Sequence, residues 1–169
     1  MNALVCHPQT PCEAVRSIHA QVARTPQGLL GVSYRIAGDL ERLRIPAPGV
    51  PRQKEKLWLH TCCEIFVGPP DRPAYHEFNF SPSGEWASYA FKRYREGAAL
   101  DIPDPRIALR ISSSELELQA CIAVAHGCLR IGISVVIEEV SGMLSYWALR
   151  HADGKPDFHH AEAFALELA

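Results

Sequence analysis

The sequence predicts an all-β fold, a two-sheet antiparallel β-sandwich of jelly-roll type. Three observations predict it. Apolar residues recur with period two in most segments, and helical periodicity is scarce. The short runs are separated by clusters of Gly, Pro, Asp and Ser, the residues that punctuate strands. About ten such runs follow one another without a linker, which suits two packed antiparallel sheets.

The elements follow in order. Val15 to Arg24 is the first candidate strand. Leu30, Val32, Tyr34 and Ile36 alternate in the second, which Gly38-Asp39 closes. Ile45 to Lys56 holds Pro46, Pro48, Gly49 and Pro51 among cations and reads as an exposed loop. Leu57 to Val67 is a strong strand, ended by Gly68-Pro69-Pro70. Ala74 to Phe80 and Glu85 to Phe91 flank Ser81-Pro82-Ser83-Gly84, a tight hairpin connection. Arg93 to Leu100 is read as one helical turn. Ile107 to Ser112, Leu116 to Ala125 and Leu129 to Glu138 are further strands, the last two joined through His126-Gly127-Cys128. Leu144 to Arg150, a turn at Ala152 to Pro156, and Ala163 to Leu168 complete the chain.

Composition bounds the function. The chain has 169 residues, 47% of them hydrophobic and 21% charged, enough for one domain over residues 1–169 with a sizeable core. Lys and Arg number 17 against 19 Asp and Glu, a net charge of −2. That balance gives no global pull toward nucleic acid or anionic lipid, so neither is expected as a partner. No apolar run approaches the roughly 20 residues of a membrane span. The start of the chain lacks a basic region followed by a long apolar stretch, so a cytoplasmic protein with reduced thiols is expected. Cys62 and Cys63 are strand neighbours and point to opposite faces.

Side chains alternate along a strand. In Leu57 to Val67, one face carries Leu57, Leu59, Thr61, Cys63, Ile65 and Val67 and points inward. The other carries Trp58, His60, Cys62, Glu64 and Phe66, an unusual row for plain solvent. For the hairpin, pairing Phe80 with Glu85 sets Asn79 opposite Trp86, Glu77 opposite Ser88 and Tyr75 opposite Ala90. In that register, the outer face of one sheet collects Trp58, His60, Glu64, Tyr75, Glu77, Asn79 and Trp86. Such a group suits a sugar. Pyranose C–H faces stack on indole, and hydroxyls need fixed donors and acceptors. Trp58, Trp86 and Tyr75 would stack, while Glu64, Glu77, Asn79 and His60 would hydrogen-bond. Trp147, in a strand near the end, is a candidate second wall. The opposing interpretation has Trp58 and Trp86 under the 45–56 loop, merely extending the core.

These residues carry a family likeness. Leu57-Trp58-Leu59-His60-Thr61-Cys62-Cys63-Glu64-Ile65-Phe66-Val67 resembles the central strand of DOMON-like domains and family 9 carbohydrate-binding modules, with its W-x5-E-x-F pattern. Tyr75 to Trp86 resembles the hairpin that follows, and Pro156-Asp157-Phe158-His159-His160-Ala161-Glu162-Ala163-Phe164 resembles the closing P-D-F-H-x-x-E-x-F stretch. The resemblance implies a β-sandwich that binds sugars, or haem, on one concave sheet. By match, Trp58 would be a stacking platform and Glu64 a hydroxyl acceptor.

Four other chemistries compete. His60, Cys62 and Glu64 share a face and could approach a metal, with a fourth ligand from His76 or the His159-His160 pair; alternate strand positions sit roughly 6–7 Å apart, so no metal is expected. Haem needs an axial His or Met, and Met1 and Met143 are the methionines present; no cofactor is expected. Glu64 and Glu77 could form the carboxylate pair of a glycoside-acting enzyme. The fourth alternative is an interaction domain without a small ligand. Lys92, Arg93 and Arg95, with Tyr94 between them, form a small basic patch that reads as a solvated strand end.

Overall fold

The computed structural model describes residues 1–169. Its strands are β1 (Asn2–Cys6), β2 (Val15–Arg24), β3 (Leu30–Gly38), β4 (Cys62–Gly68), β5 (Tyr75–Phe80), β6 (Trp86–Arg93), β7 (Glu96–Ala99), β8 (Arg106–Ile111), β9 (Glu115–Ile122), β10 (Leu129–Glu138), β11 (Leu144–Ala148) and β12 (Leu166–Leu168). Three short 3-10 turns are the only helical elements, and no helix is long and apolar enough to cross a membrane.

The fold is an antiparallel β-sandwich. Its pairing path runs β7-β6-β5-β4-β10-β11-β1-β2-β3-β9-β8, with β12 beside the start of β10. β1 joins the two layers, because Asn2 to Leu4 pair with β2 and Val5 and Cys6 pair with β11. One layer is β1-β2-β3-β9-β8; the other, which carries the site, is β7-β6-β5-β4-β10-β11.

The core lies between the layers and follows from strand alternation. Leu30, Val32, Tyr34 and Ile36 of β3 face Cys63, Ile65 and Val67 of β4 and Ile131, Ile133, Val135 and Ile137 of β10 in one contiguous cluster. Tyr34 is fully buried, and its hydroxyl crosses the sandwich to donate to the Glu64 backbone carbonyl at 2.8 Å. This bond ties the opposite layer to the strand that presents the site. Tyr34→Phe is expected to cost about 1–2 kcal/mol in chemical denaturation, the value of a buried hydrogen bond lost with one partner left in place.

Four sequence expectations are corrected. The first strand is Asn2–Cys6, ahead of the Val15 start that the sequence pattern predicts. Arg93 to Leu100 is not a helical turn: Tyr94 and Arg95 turn the chain, with Arg95 left-handed at φ 54°, and Glu96–Ala99 pairs back on β6. The Leu57–Val67 strand begins only at Cys62. Leu57–Leu59 form a 3-10 turn closed by the His60 N–H donating to the Leu57 carbonyl at 3.1 Å. The turn's period of three buries Leu57 against Cys62 and Ala87 and leaves Trp58 and Leu59 outside.

The fourth correction is the hairpin register, which is shifted by one. Ser81 N–H donates to Glu85, and Gly84 N–H donates back to Ser81. Gly84 is left-handed at φ 87°. The loop proper is therefore three residues, Pro82 to Gly84, a turn that glycine closes. Phe80 pairs with Trp86, Asn79 with Ala87, Glu77 with Tyr89 and Tyr75 with Phe91. A one-residue slip exchanges every side chain between faces. Trp86 and Ser88 consequently point to the inner face, while Tyr89 and Phe91 point outward.

Candidate functional site

The outer face of the second layer carries a hollow of about 330 Å³. Its floor comes from β4, β5 and β10. Alternation puts Glu64 and Phe66 outward on β4, Glu77 outward on β5 and Val136 outward on β10. Glu64 is 2% exposed and Glu77 5%, so two carboxyl groups sit at the base of the cavity almost out of water.

Each has one hydrogen-bond donor at its back. Ser134 Oγ donates to Glu64 Oε2 at 3.0 Å. Asn79 Nδ2 donates to Glu77 Oε1 at 2.9 Å. Burial pushes both carboxyl pKa values up, Glu64 well above the usual range with the neighbouring Glu77 charge adding to the rise, and Glu77 to about 7. The bonds from Ser134 and Asn79, and the Arg95 charge near Glu77, offset part of that.

The walls are aromatic. The 3-10 turn sets Trp58 on the rim, 38% exposed, with its ring 5.7 Å from Tyr89. Tyr89 and Phe91 follow along β6, and Phe91 stacks on Tyr75 at 4.7 Å. The opposite wall is Tyr146 of β11, packed 5.9 Å from Phe158.

The closing segment completes the hollow. Pro156, Phe158 and His159 line it because Asp157 anchors them. Tyr94 donates to Asp157 at 2.6 Å and Arg95 at 2.9 Å, and Asp157 also accepts the His159 N–H. Burial alone would raise the Asp157 carboxyl, but these donors and the Arg95 charge hold it below its ordinary value. Tyr75 OH accepts the Arg95 N–H at 3.1 Å, which leaves its own proton to donate to His159 Nδ1 at 2.8 Å. Burial, reinforced by Arg95, pulls the His159 pKa down to about 4, so the ring is neutral near pH 7. Its protonated Nε2 then stands 3.6 Å from Glu77 Oε2, a dipole beside the carboxyl group rather than an ion pair.

The eight residues expected from sequence divide into groups. Trp58, Glu64 and Glu77 line the hollow. Tyr75 and Asn79 are buried behind it and hold His159 and Glu77 in place. His60 lies beyond the end of the hollow: its Nδ1 is 2.7 Å from Glu138 Oε2, and Arg44 bonds the other Glu138 oxygen at 2.9 Å. Trp86 and Trp147 are corrections. Trp86 belongs to the inner face through the hairpin shift. Trp147 pairs with Val135, an inward residue, so its neighbour Tyr146 takes the outward place. His60, Cys62 and Glu64 do not converge into a metal-ligand set.

Sequence reasoning missed Tyr89, Phe91, Tyr146, Phe158, His159 and Arg95 as wall residues. A glycine-closed three-residue loop at Pro82 to Gly84 would have given Tyr89 and Phe91. The Asp157 to His159 stretch stands out in the sequence, but only tertiary contacts bring it over the sheet.

No protein-family model and no curated protein matches the chain. Among solved structures it is similar to a Bacteroides uniformis protein provisionally named a carbohydrate-binding protein, with a TM-score of 0.61 at 14% identity. The two share one fold. The likeness covers 87% of this chain and 75% of the other.

Proposed function

We propose that this chain is a non-catalytic carbohydrate-binding domain, related to DOMON-like domains and family 9 carbohydrate-binding modules, and that a sugar or sugar derivative enters the hollow beneath Trp58. The observation that carries this reading is the pairing of an aromatic wall with a buried polar floor. Trp58 and Tyr89 offer ring faces for the C–H surface of a pyranose, opposite Phe158 and Tyr146. Glu64 and Glu77 offer oxygens that accept hydroxyl hydrogen bonds in a site mostly screened from water. A cavity of about 330 Å³ falls at the small end of ligand pockets and fits a terminal sugar better than an extended chain. The provisional name of the structurally similar Bacteroides uniformis protein supports the same reading.

Isothermal titration against a panel of mono- and disaccharides tests it. At least one is expected to bind, and Trp58→Ala is expected to weaken binding by about tenfold or more, or 1.4 kcal/mol. Absence of binding across the panel, or an unaltered Kd in the variant, would remove the proposal. Products accumulating from the same sugars, with turnover lost in Glu64→Gln or Glu77→Gln, would replace it with the enzyme reading.

A further inference from the structure

We propose that the ligand carries a protonated amino group, seated between the Glu64 and Glu77 carboxylates and enclosed by the aromatic walls. The inference rests on the sugar-site reading above and narrows it to amino sugars.

The charge accounting of the hollow is the first argument. Two carboxyl groups form its floor, and the protein supplies no free cation to them. Arg95, on the β6–β7 turn, lines the cavity but is bound to Asp157 at 2.9 Å. His159, from the closing segment, accepts at Nδ1 from Tyr75 and presents an N–H dipole without a charge. From β6 the facing titratable group is Tyr89, and on β4 the buried Cys62 thiol, packed with Leu57 and Ala87, lies near both carboxyls. β10 gives Ser134 and, at the far end, Glu138, which Arg44 and His60 already occupy. The floor therefore has an unmatched negative capacity.

The second argument is geometric. Ser134 bonds only Oε2 of Glu64; Oε1 takes no hydrogen bond from the protein and is not sealed from solvent, so it opens to the cavity that Glu64 lines. An ammonium group brings three donors and a positive charge together, whereas a hydroxyl brings one donor and no charge. The walls suit the same group. Trp58, Tyr89, Phe91 and Phe158 line the cavity, and aromatic rings attract a cation through their electron-rich faces. Burial also keeps protons on the unliganded carboxyls. An ammonium ligand displaces them, so binding should release protons.

The test is titration calorimetry at pH 7 with four probes: glucosamine, N-acetylglucosamine, glucose and ethanolamine. Glucosamine is expected to bind about tenfold or more tightly than glucose and N-acetylglucosamine, with an enthalpy that varies with the buffer's ionisation heat. Glu64→Gln is expected to bring glucosamine down to the level of glucose. The selectivity of the wild-type protein carries the test if that variant does not fold. Glucose or N-acetylglucosamine binding as tightly as glucosamine overturns the ammonium proposal and leaves the sugar site standing. Ethanolamine binding while no sugar of the wider panel binds keeps the ammonium site and overturns the sugar reading. No binding by any of the four overturns the ammonium proposal, and the sugar reading falls with it only if the wider panel also fails to bind.

Discussion

Trp86→Ala is expected to lower the unfolding free energy by about 3–5 kcal/mol, the usual result of emptying a large core site. Trp58→Ala is expected to cost about 1 kcal/mol or less, because an exposed aromatic gives up little buried area. The contrast follows from the hairpin register. Trp86 is 3% exposed and packs in the sandwich core opposite Phe80, while Trp58 is 38% exposed on the cavity rim. The Trp86 indole Nε1 is buried without a hydrogen-bond partner, so Trp86→Phe removes an unmet donor as well as volume and should be much milder than Trp86→Ala. Urea denaturation of the three variants checks the ranking. Equal losses for Trp58→Ala and Trp86→Ala would mean that the two rings share one environment, as the opposing sequence interpretation held.

The unliganded protein is expected to lose on the order of 1–3 kcal/mol of stability between pH 6.5 and pH 8. Glu64 and Glu77 both have folded pKa values raised by burial, Glu77 to about 7. A carboxyl raised in this way favours folding while it holds its proton. That contribution is complete below the unfolded pKa and is lost as pH climbs through the folded one. His159, His76 and His151 are depressed by burial and act in the opposite direction, but only below their ordinary 6.5. The window above pH 6.5 therefore isolates the acid pair. The double variant Glu64→Gln, Glu77→Gln should flatten the profile there and exceed the wild type in stability at pH 8. Thermal melts across that range make the comparison. Parallel curves for the two proteins would show that the carboxyls are solvated rather than buried.

Much of the fold was legible because strands advertise themselves by alternation. Leu30, Val32, Tyr34 and Ile36 occupy the inward positions that their spacing assigns, as do Cys63, Ile65 and Val67. The outward pair Cys62 and Glu64 follows from the same rule. What was not legible came from single residues that break the period. A left-handed Lys56 starts a 3-10 turn, which moves Trp58 off the strand and onto the rim. Gly84 shortens the hairpin loop by one residue and exchanges Trp86 for Tyr89 and Phe91 on the outer face. In β11 two adjacent aromatics compete, and the larger one, Trp147, takes the core while Tyr146 takes the wall. The far wall could not be read locally at all. Phe158 and His159 reach the cavity only because Asp157 is bound by Tyr94 and Arg95, more than sixty residues earlier in the chain.

The most direct measurement is a crystal structure of the protein soaked with the tightest-binding sugar of the panel. The expected density lies against Trp58 and Tyr89, with polar groups of the ligand bonded to Glu64 and Glu77. Ligand bound elsewhere on the chain, or Phe158 and His159 packed onto Glu77 with no space left between, would contradict it.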